Sequence, residues 1–283
     1  MANFSLVNNT SASASQARLA VTNNSLNQTI QRLSSGLRIN RSGDDAAGLA
    51  VANSFRSDVA VLTQGIRNAN DGISTLQIVD GGLNTISNLL DRASTLASQS
   101  ASGTFSGNRT TLNNELTAVL SEIDRQAQNI GLGTGVAGTD PEARFVKVID
   151  TYIGGGADAS ATGNVVSVDL SSSVADSTGL GINAVDISTE AGAQTAIGTI
   201  RAAVTTLGDI QGVVGAGQNN LTQAIDLAST QITNYQAAES AIRDADIAAE
   251  ASNLARLNTL QQAGVAALAQ ANTSGQAVLS LLR

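Results

Sequence analysis

Two stretches at opposite ends of the sequence carry the same seven-residue apolar repeat, and neither is broad enough to make a core by itself. Near the start, Leu19, Asn23, Leu26, Ile30, Leu33 and Leu37 step by four and three. Ile247, Leu254, Leu257, Gln261, Leu268, Ala271, Val278 and Leu282 hold that phase to the end. Alternating three- and four-residue spacing puts such residues on one stripe of a helix. Each stripe is bordered by Asn, Ser, Gln and Thr, so it can be buried only against other helices. The two ends are expected to meet in space, in a chain built to assemble.

The rest of the chain must build its core without bulky residues. Aromatics make up 2% of the 283 residues and Trp is absent, which leaves Ala, Leu, Ile and Val and suits close helix packing. A single proline agrees with long unbroken helices, because an interior proline costs about 3 kcal/mol. The formal charge of −8 is spread thinly over a chain that is 13% charged. With no basic stripe and no basic–aromatic interleaving, nucleic acid is excluded as a partner. No apolar run approaches the ~18 residues of a membrane span, so membrane insertion is not expected. Met1-Ala2-Asn3-Phe4-Ser5-Leu6 shows neither the basic nor the apolar region of a cleaved secretory signal. Cysteine is absent, which removes thiolate nucleophiles and sulfur ligands. Histidine is absent too, and with it the commonest metal ligand and general base. The chain is read as a non-enzyme with no catalytic residues, no cofactor and no metal site.

Between the terminal seams lies a helical rod. A second stripe runs through Leu62, Ile66, Ala69, Ile73, Leu76, Val79, Leu83, Ile86, Leu90, Ala93 and Ala97, and it should stop at the turn formers of 101–107. A third, Leu112, Leu116, Val119, Ile123, Gln126 and Ile130, returns and makes an αα-hairpin. The fourth and most regular runs from Ile197 and Ile200 to Ile232 and Tyr235, and its phase slips between Ile242 and Ile247. Ser42 and Asp45 have capping-box spacing and predict a fresh helix start near residue 42. Between about 131 and 190 the texture turns to Gly, Ser, Thr, Asp and β-branched residues. Residues 144–149 and 164–170 read as two strands joined by a Gly-rich return. The fold class is mainly α: a nested antiparallel rod of long coiled-coil helices with a small β-hairpin insertion. The expected segments are 1–42, 43–130, 131–192, 193–242 and 243–283.

The motifs that would carry chemistry lack their context. Gly133-Thr134-Gly135-Val136-Ala137-Gly138 has G-x-G-x-x-G spacing, but a pyrophosphate site needs a strand before it and a helix N-terminus after it. Here the motif follows a helical stripe, so it reads as a loop. Paired acids at Asp44/Asp45, Glu122/Asp124 and Asp244/Asp246 have no aromatic residues beside them to hold a sugar, and read as caps and solvated faces. The polar seam members Asn23, Gln211, Gln218 and Gln261 leave two readings open. Either they sit at the seam edge, or they are buried amides that fix register at some cost in stability.

The run Leu33-Ser34-Ser35-Gly36-Leu37-Arg38-Ile39-Asn40, followed by Asp44-Asp45-Ala46-Ala47-Gly48, resembles the N-terminal signature of bacterial flagellins. Arg67-Asn68-Ala69-Asn70-Asp71-Gly72-Ile73-Ser74 and Glu122-Ile123-Asp124-Arg125 continue the likeness. Leu260-Gln261-Gln262-Ala263-Gly264, Leu268-Ala269-Gln270-Ala271-Asn272 and Val278-Leu279-Ser280-Leu281-Leu282-Arg283 are similar to the C-terminal signature. The resemblance covers roughly 1–130 and 195–283. It implies a structural subunit that self-assembles into the extracellular flagellar filament for swimming motility, with 1–42 and 243–283 as the D0-like coiled coil of the filament core. Residues 43–130 and 193–242 would form the D1-like rod, and the middle is short for the family.

The same resemblance implies export by the flagellar type III apparatus without a cleaved signal. The implied partners are other copies of the chain in a helical homopolymer, a flagellin chaperone, the filament cap and the hook-associated proteins. A hook–filament junction protein is the alternative reading. Leu90-Asp91-Arg92-Ala93-Ser94-Thr95-Leu96-Ala97-Ser98-Gln99 resembles the strip read by the flagellin-sensing Toll-like receptor, which implies Arg92, Leu96 and Glu115 as contacts. Ser94 and Thr95 stand where receptor-activating members carry an Arg–Glu pair, so weak recognition is implied.

Overall fold

The computed structural model describes residues 9–134, 143–154 and 163–281, with side chains to Thr273 in the last helix. Seven elements follow in order: α1 (Thr10–Ser35), α2 (Ala46–Ser100), α3 (Arg109–Asn129), β1 (Val148–Tyr152), β2 (Val165–Asp169), α4 (Glu190–Arg243) and α5 (Ile247–Leu281). The fold is mainly helical with one small antiparallel hairpin. The chain divides into two compact units, one of residues 1–57 with 234–283 and the other of residues 58–233. The helices break between Ser35 and Ala46 and between Arg243 and Ile247, while the compact units divide further in, because α2 and α4 each begin or end inside the terminal unit.

In the inner unit, α2 and α3 are antiparallel, with Arg92 opposite Glu115 and Gly82 beneath Ile130. Asn108 caps α3 by accepting from Thr110 N at 2.9 Å. Arg109 ties off the preceding turn by donating to the carbonyls of Ser100 and Ser102, both at 3.0 Å, while its guanidinium lies over the Phe105 ring. α4 runs antiparallel to α2: Gln211 donates to Asn84 at 3.3 Å, Gly217 lies by Leu76, and Leu221 lies by Gly72. The core is aliphatic, as the composition demands. Leu76, Leu83, Ile86 and Leu90 of α2 are fully buried with Leu116 and Ile123 of α3, and Ile200, Leu207 and Leu221 of α4 join them.

The hairpin pairs Val148 with Asp169 and Tyr152 with Val165. β2 lies where the sequence placed it. β1 begins four residues later than the expected 144, because Phe145 donates to the Gly131 carbonyl at 2.9 Å and Val146 to that of Ala143 at 3.1 Å. Those bonds commit 143–147 to a turn, and Arg144 stacks on the Phe145 ring. The hairpin then lies against two glycines of α2. Gly65 meets the Ile153 backbone, Gly72 meets Thr151, and Asn68 donates to the Tyr152 carbonyl at 3.0 Å.

The loop from Leu170 to α4 is folded around buried polar contacts. Asp176 accepts from the backbone N–H groups of Thr134 and Gly179, both at 2.7 Å, and Ser177 N donates to Asp124 at 2.7 Å. Ser100 donates to the Ile187 carbonyl at 2.6 Å, and Ile187 N donates to Asn113 at 2.9 Å. Of the G-x-G-x-x-G stretch, only Gly133 and Thr134 fall among the described residues.

Candidate assembly interface

The terminal unit is organised by caps at both helices of the seam. Asn9 accepts from Ala12 N at 3.0 Å and starts α1; Gly36 ends it with φ of 73°, a left-handed conformation that glycine adopts without strain. Asp246 starts α5, accepting from Ala248 N and Ala249 N at 2.9 and 3.0 Å. Between the helices the chain is pinned by backbone bonds. Arg38 N donates to the Arg243 carbonyl at 2.5 Å, and Ala245 N donates to the Gly36 carbonyl at 2.9 Å. Asp45, not Ser42, caps α2: its carboxylate accepts from Gly48 N at 2.9 Å. The capping box expected at Ser42 is absent because Asp44, one residue before the cap, turns back on Asn40 and Arg41.

Those two backbone N–H donors hold the Asp44 carboxyl below its ordinary value. The folded value lies below the unfolded one, so ionised Asp44 stabilises the fold above the unfolded pKa of about 3.9, and that contribution is lost as pH falls through the folded value. Asp44→Asn is expected to flatten the acid limb of the pH–stability curve of the terminal unit. The readout is the Tyr235 ring, which stacks on Phe55 with centroids 5.5 Å apart, in a chain whose other tyrosine is Tyr152→Phe. An unchanged acid limb would contradict the assignment. Glu122 is held down to about 2, by Arg125 first and Gln126 second.

α1 and α5 pack antiparallel, with Asn9 bonded to the Ala271 carbonyl, Leu19 against Gly264, and Gln261 donating to Asn23 at 3.0 Å. Toward the junction, Arg32 donates to Glu250 at 3.4 Å. Of the seam candidates, Leu26 is buried, and Leu19, Asn23, Leu33, Leu37, Leu254, Leu257, Gln261, Leu268 and Ala271 are half-buried. Two depart. Ile30 is 47% exposed and Ile247 is 49% exposed, and Thr29 and Glu250 are buried in their neighbourhood instead. Either residue 29 or residue 30 can bridge Leu26 and Leu33 on a 3.6-residue helix, and α5 approaches on the Thr29 side. The Val278 side chain and Leu282 lie outside the described residues.

A long apolar groove opens along this pair. It has a volume of about 620 Å³ and is lined by Ala17, Arg18, Val21, Leu260, Ala263 and Ala267, among others. Val21 is 66% exposed, Leu260 50% and Val265 54%. Among the described side chains of α1 and α5, only Leu26, Thr29 and Glu250 are buried. On the inner unit, Arg92 and Glu115 are both accessible and bonded to each other, with Arg92 Nε at 3.0 Å from Glu115 Oε1. Leu96 is 1% exposed; it faces the core and offers no surface to a receptor. Among the described residues no group of acidic side chains is placed to hold a metal ion, and no helix is long and apolar enough to cross a membrane.

Comparison with known proteins addresses the same segments. Residues 7–131 match the bacterial flagellin N-terminal helical region, and residues 197–282 match the bacterial flagellin C-terminal helical region. A flagellin of Halalkalibacterium halodurans is 35% identical over 257 residues, covering 90% of this chain and 91% of the relative. Flagellin FlaB2 of Treponema pallidum is 35% identical over 286 residues, covering 97% of this chain and 98% of the relative. A crystal structure of Bacillus cereus flagellin aligns with a TM-score of 0.46 and 26% identity, covering 61% of this chain and 94% of that one. With both terminal regions matched and full-length relatives above 30% identity, the chain belongs to the bacterial flagellin family.

Proposed function

We propose that this structural subunit of the extracellular flagellar filament polymerises through α1 and α5, whose paired surface is completed by other copies of the chain. One observation carries the reading. The pair leaves Val21, Ile30, Ile247, Leu260 and Val265 exposed while burying almost nothing of its own. A two-helix element this poorly buried does not offset the entropy of ordering it, at about 1–2 kcal/mol per residue of backbone alone. The helices α1 and α5 accordingly become ordered only as the polymer forms. Export through the flagellar apparatus, escort by a chaperone and growth beneath a cap beyond the hook-associated proteins belong to the same reading and rest on the family likeness.

The test is electron microscopy of the purified chain concentrated in ammonium sulfate, which strengthens apolar burial, beside a chain lacking 1–42 and 243–283. Long filaments from the full chain alone support the reading. Rings or short stubs would favour a hook–filament junction protein.

Receptor recognition, on this reading, is weak and rests on Arg92 and Glu115, which already satisfy one another. Ser94→Arg with Thr95→Glu is expected to raise signalling in a receptor-reporter cell assay by roughly tenfold, equivalent to about 1.4 kcal/mol. Unchanged signalling would remove this strip as the contact.

A further inference from the structure

The leucines of the α1–α5 seam do not by themselves define an alignment. Leu19, Leu26 and Leu33 repeat at the heptad interval, as do Leu254 and Leu268 with Gln261 between them. A slip of one heptad that brings Leu19 to Ala271 would set Leu33 by Leu257 and keep apolar residues facing apolar residues, whereas the opposite slip sets Leu19 by Leu257 but Leu26 by Glu250. What a slip cannot keep is the two polar pairs, Asn23 with Gln261 and Arg32 with Glu250. Moved one heptad in one direction, Asn23 faces Leu268 and Arg32 faces Leu257. Moved in the other, Asn23 faces Leu254, and Arg32 passes the start of α5 and loses its partner.

Each mispairing strands a polar group. Glu250 is 8% exposed, and its partners are Arg32 and Asn253, the latter at 3.0 Å on its own helix. A buried carboxylate deprived of its cation is strongly destabilising, whereas replacement of a whole buried pair by apolar residues is often neutral. Asn23 and Gln261 follow the same logic, since each amide satisfies the other across the seam. Both ends of the Arg32–Glu250 pair also suit their helices. Arg32 lies in the last turn of α1 and Glu250 in the first turn of α5, where the helix dipoles favour a cation and an anion respectively.

We infer that Asn23–Gln261 and Arg32–Glu250 are a register key, the residues that select one alignment of α1 on α5 from several that the leucines allow, and that they act within a single chain. The inference rests on the reading of this pair as the polymerising surface and deepens it, because an aligned pair and a slipped pair present different faces to a neighbouring copy.

The absence of cysteine makes the register readable by oxidation of introduced pairs in the full-length chain. Leu19→Cys with Gly264→Cys reports the observed alignment, since a side chain at 264 would lie against residue 19. Leu19→Cys with Leu257→Cys, or with Ala271→Cys, reports the two slips. With the key intact, the 19/264 pair is expected to close at least roughly tenfold faster than either slipped pair. With Asn23, Gln261, Arg32 and Glu250 all changed to Leu, the slipped pairs should close at rates comparable to 19/264. Persistence of 19/264 alone in the four-leucine chain would overturn the inference.

Charge exchange supplies a second arm. Arg32→Glu and Glu250→Arg should each lose the preference for 19/264, and the double exchange should regain it. A mixture of the two single variants should not. Restoration in the mixture would mean that the pair forms between chains, and would overturn the inference in its present form. The crosslinks are read on the full-length chain concentrated in ammonium sulfate, where α1 and α5 pair, whether the product is filaments or not. A native chain that closes 19/264 yet makes no filaments counts against the proposed function alone.

Discussion

A chain carrying Val21→Asp and Leu260→Asp is expected to stay monomeric at concentrations where the native chain forms filaments. Both side chains line the groove along α1 and α5, and both are at least half exposed in the single chain. In the monomer the changes are surface substitutions, usually within about 0.5 kcal/mol of neutral. In a polymer that covers the groove, each carboxylate must be desolvated without a cation, at an effective cost of several kcal/mol per ion. A penalty of about 4 kcal/mol per subunit corresponds to a roughly thousandfold higher critical concentration. Sedimentation after seeding measures that concentration, and thermal unfolding of the inner unit serves as the control, since neither residue lies in it. Filaments at the native critical concentration would show that the groove remains open to solvent in the polymer.

Gly65→Ala is expected to lower the melting temperature of the inner unit markedly, although alanine is the better helix former. A Cβ at residue 65 would lie 1.7 Å from the Ile153 carbonyl oxygen and 2.4 Å from its carbon, both backbone atoms with no rotamer to yield. Overpacking of about 3 kcal/mol, less a helix-propensity gain of about 1 kcal/mol, leaves a net destabilisation near 2 kcal/mol. For a unit of this size that is a fall of roughly 4–8 °C. Gly72→Ala is the informative comparison. Its Cβ would meet the Leu221 and Thr151 side chains at 3.2 Å, contacts that can relax, so its melting temperature should hardly change. Equal behaviour of the two variants in calorimetry would mean that the hairpin is not seated on α2 at Gly65.

The helices were legible because their signals are local. The slip between Ile242 and Ile247 became the break from α4 to α5, and the turn formers after Ser100 became the turn into α3. Legibility failed wherever the answer depended on what stands opposite. Leu26 and Leu33 define a stripe, but only the approach of α5 decides that Thr29 rather than Ile30 faces it. Glu250 has no apolar signal to place it in a seam; it is buried because Arg32, more than two hundred residues away in sequence, supplies a cation. Asn23 and Gln261 were visible as polar members of apolar stripes; both are half-buried and bonded to each other across the seam. Leu96 shows the converse, since a matching motif says nothing about which way a side chain points. The purpose of the glycines at 65 and 72 appears only with the hairpin beside them.

Amide hydrogen exchange of the full-length chain before and after polymerisation tests most directly whether α1 and α5 are ordered by assembly. Amides of α1 and α5 should exchange rapidly in the dilute monomer and become strongly protected in the filament, while those of the inner-unit helices stay protected throughout. Protection of α1 and α5 already present in the monomer, or gained on polymerisation only in the inner unit, would contradict ordering by assembly.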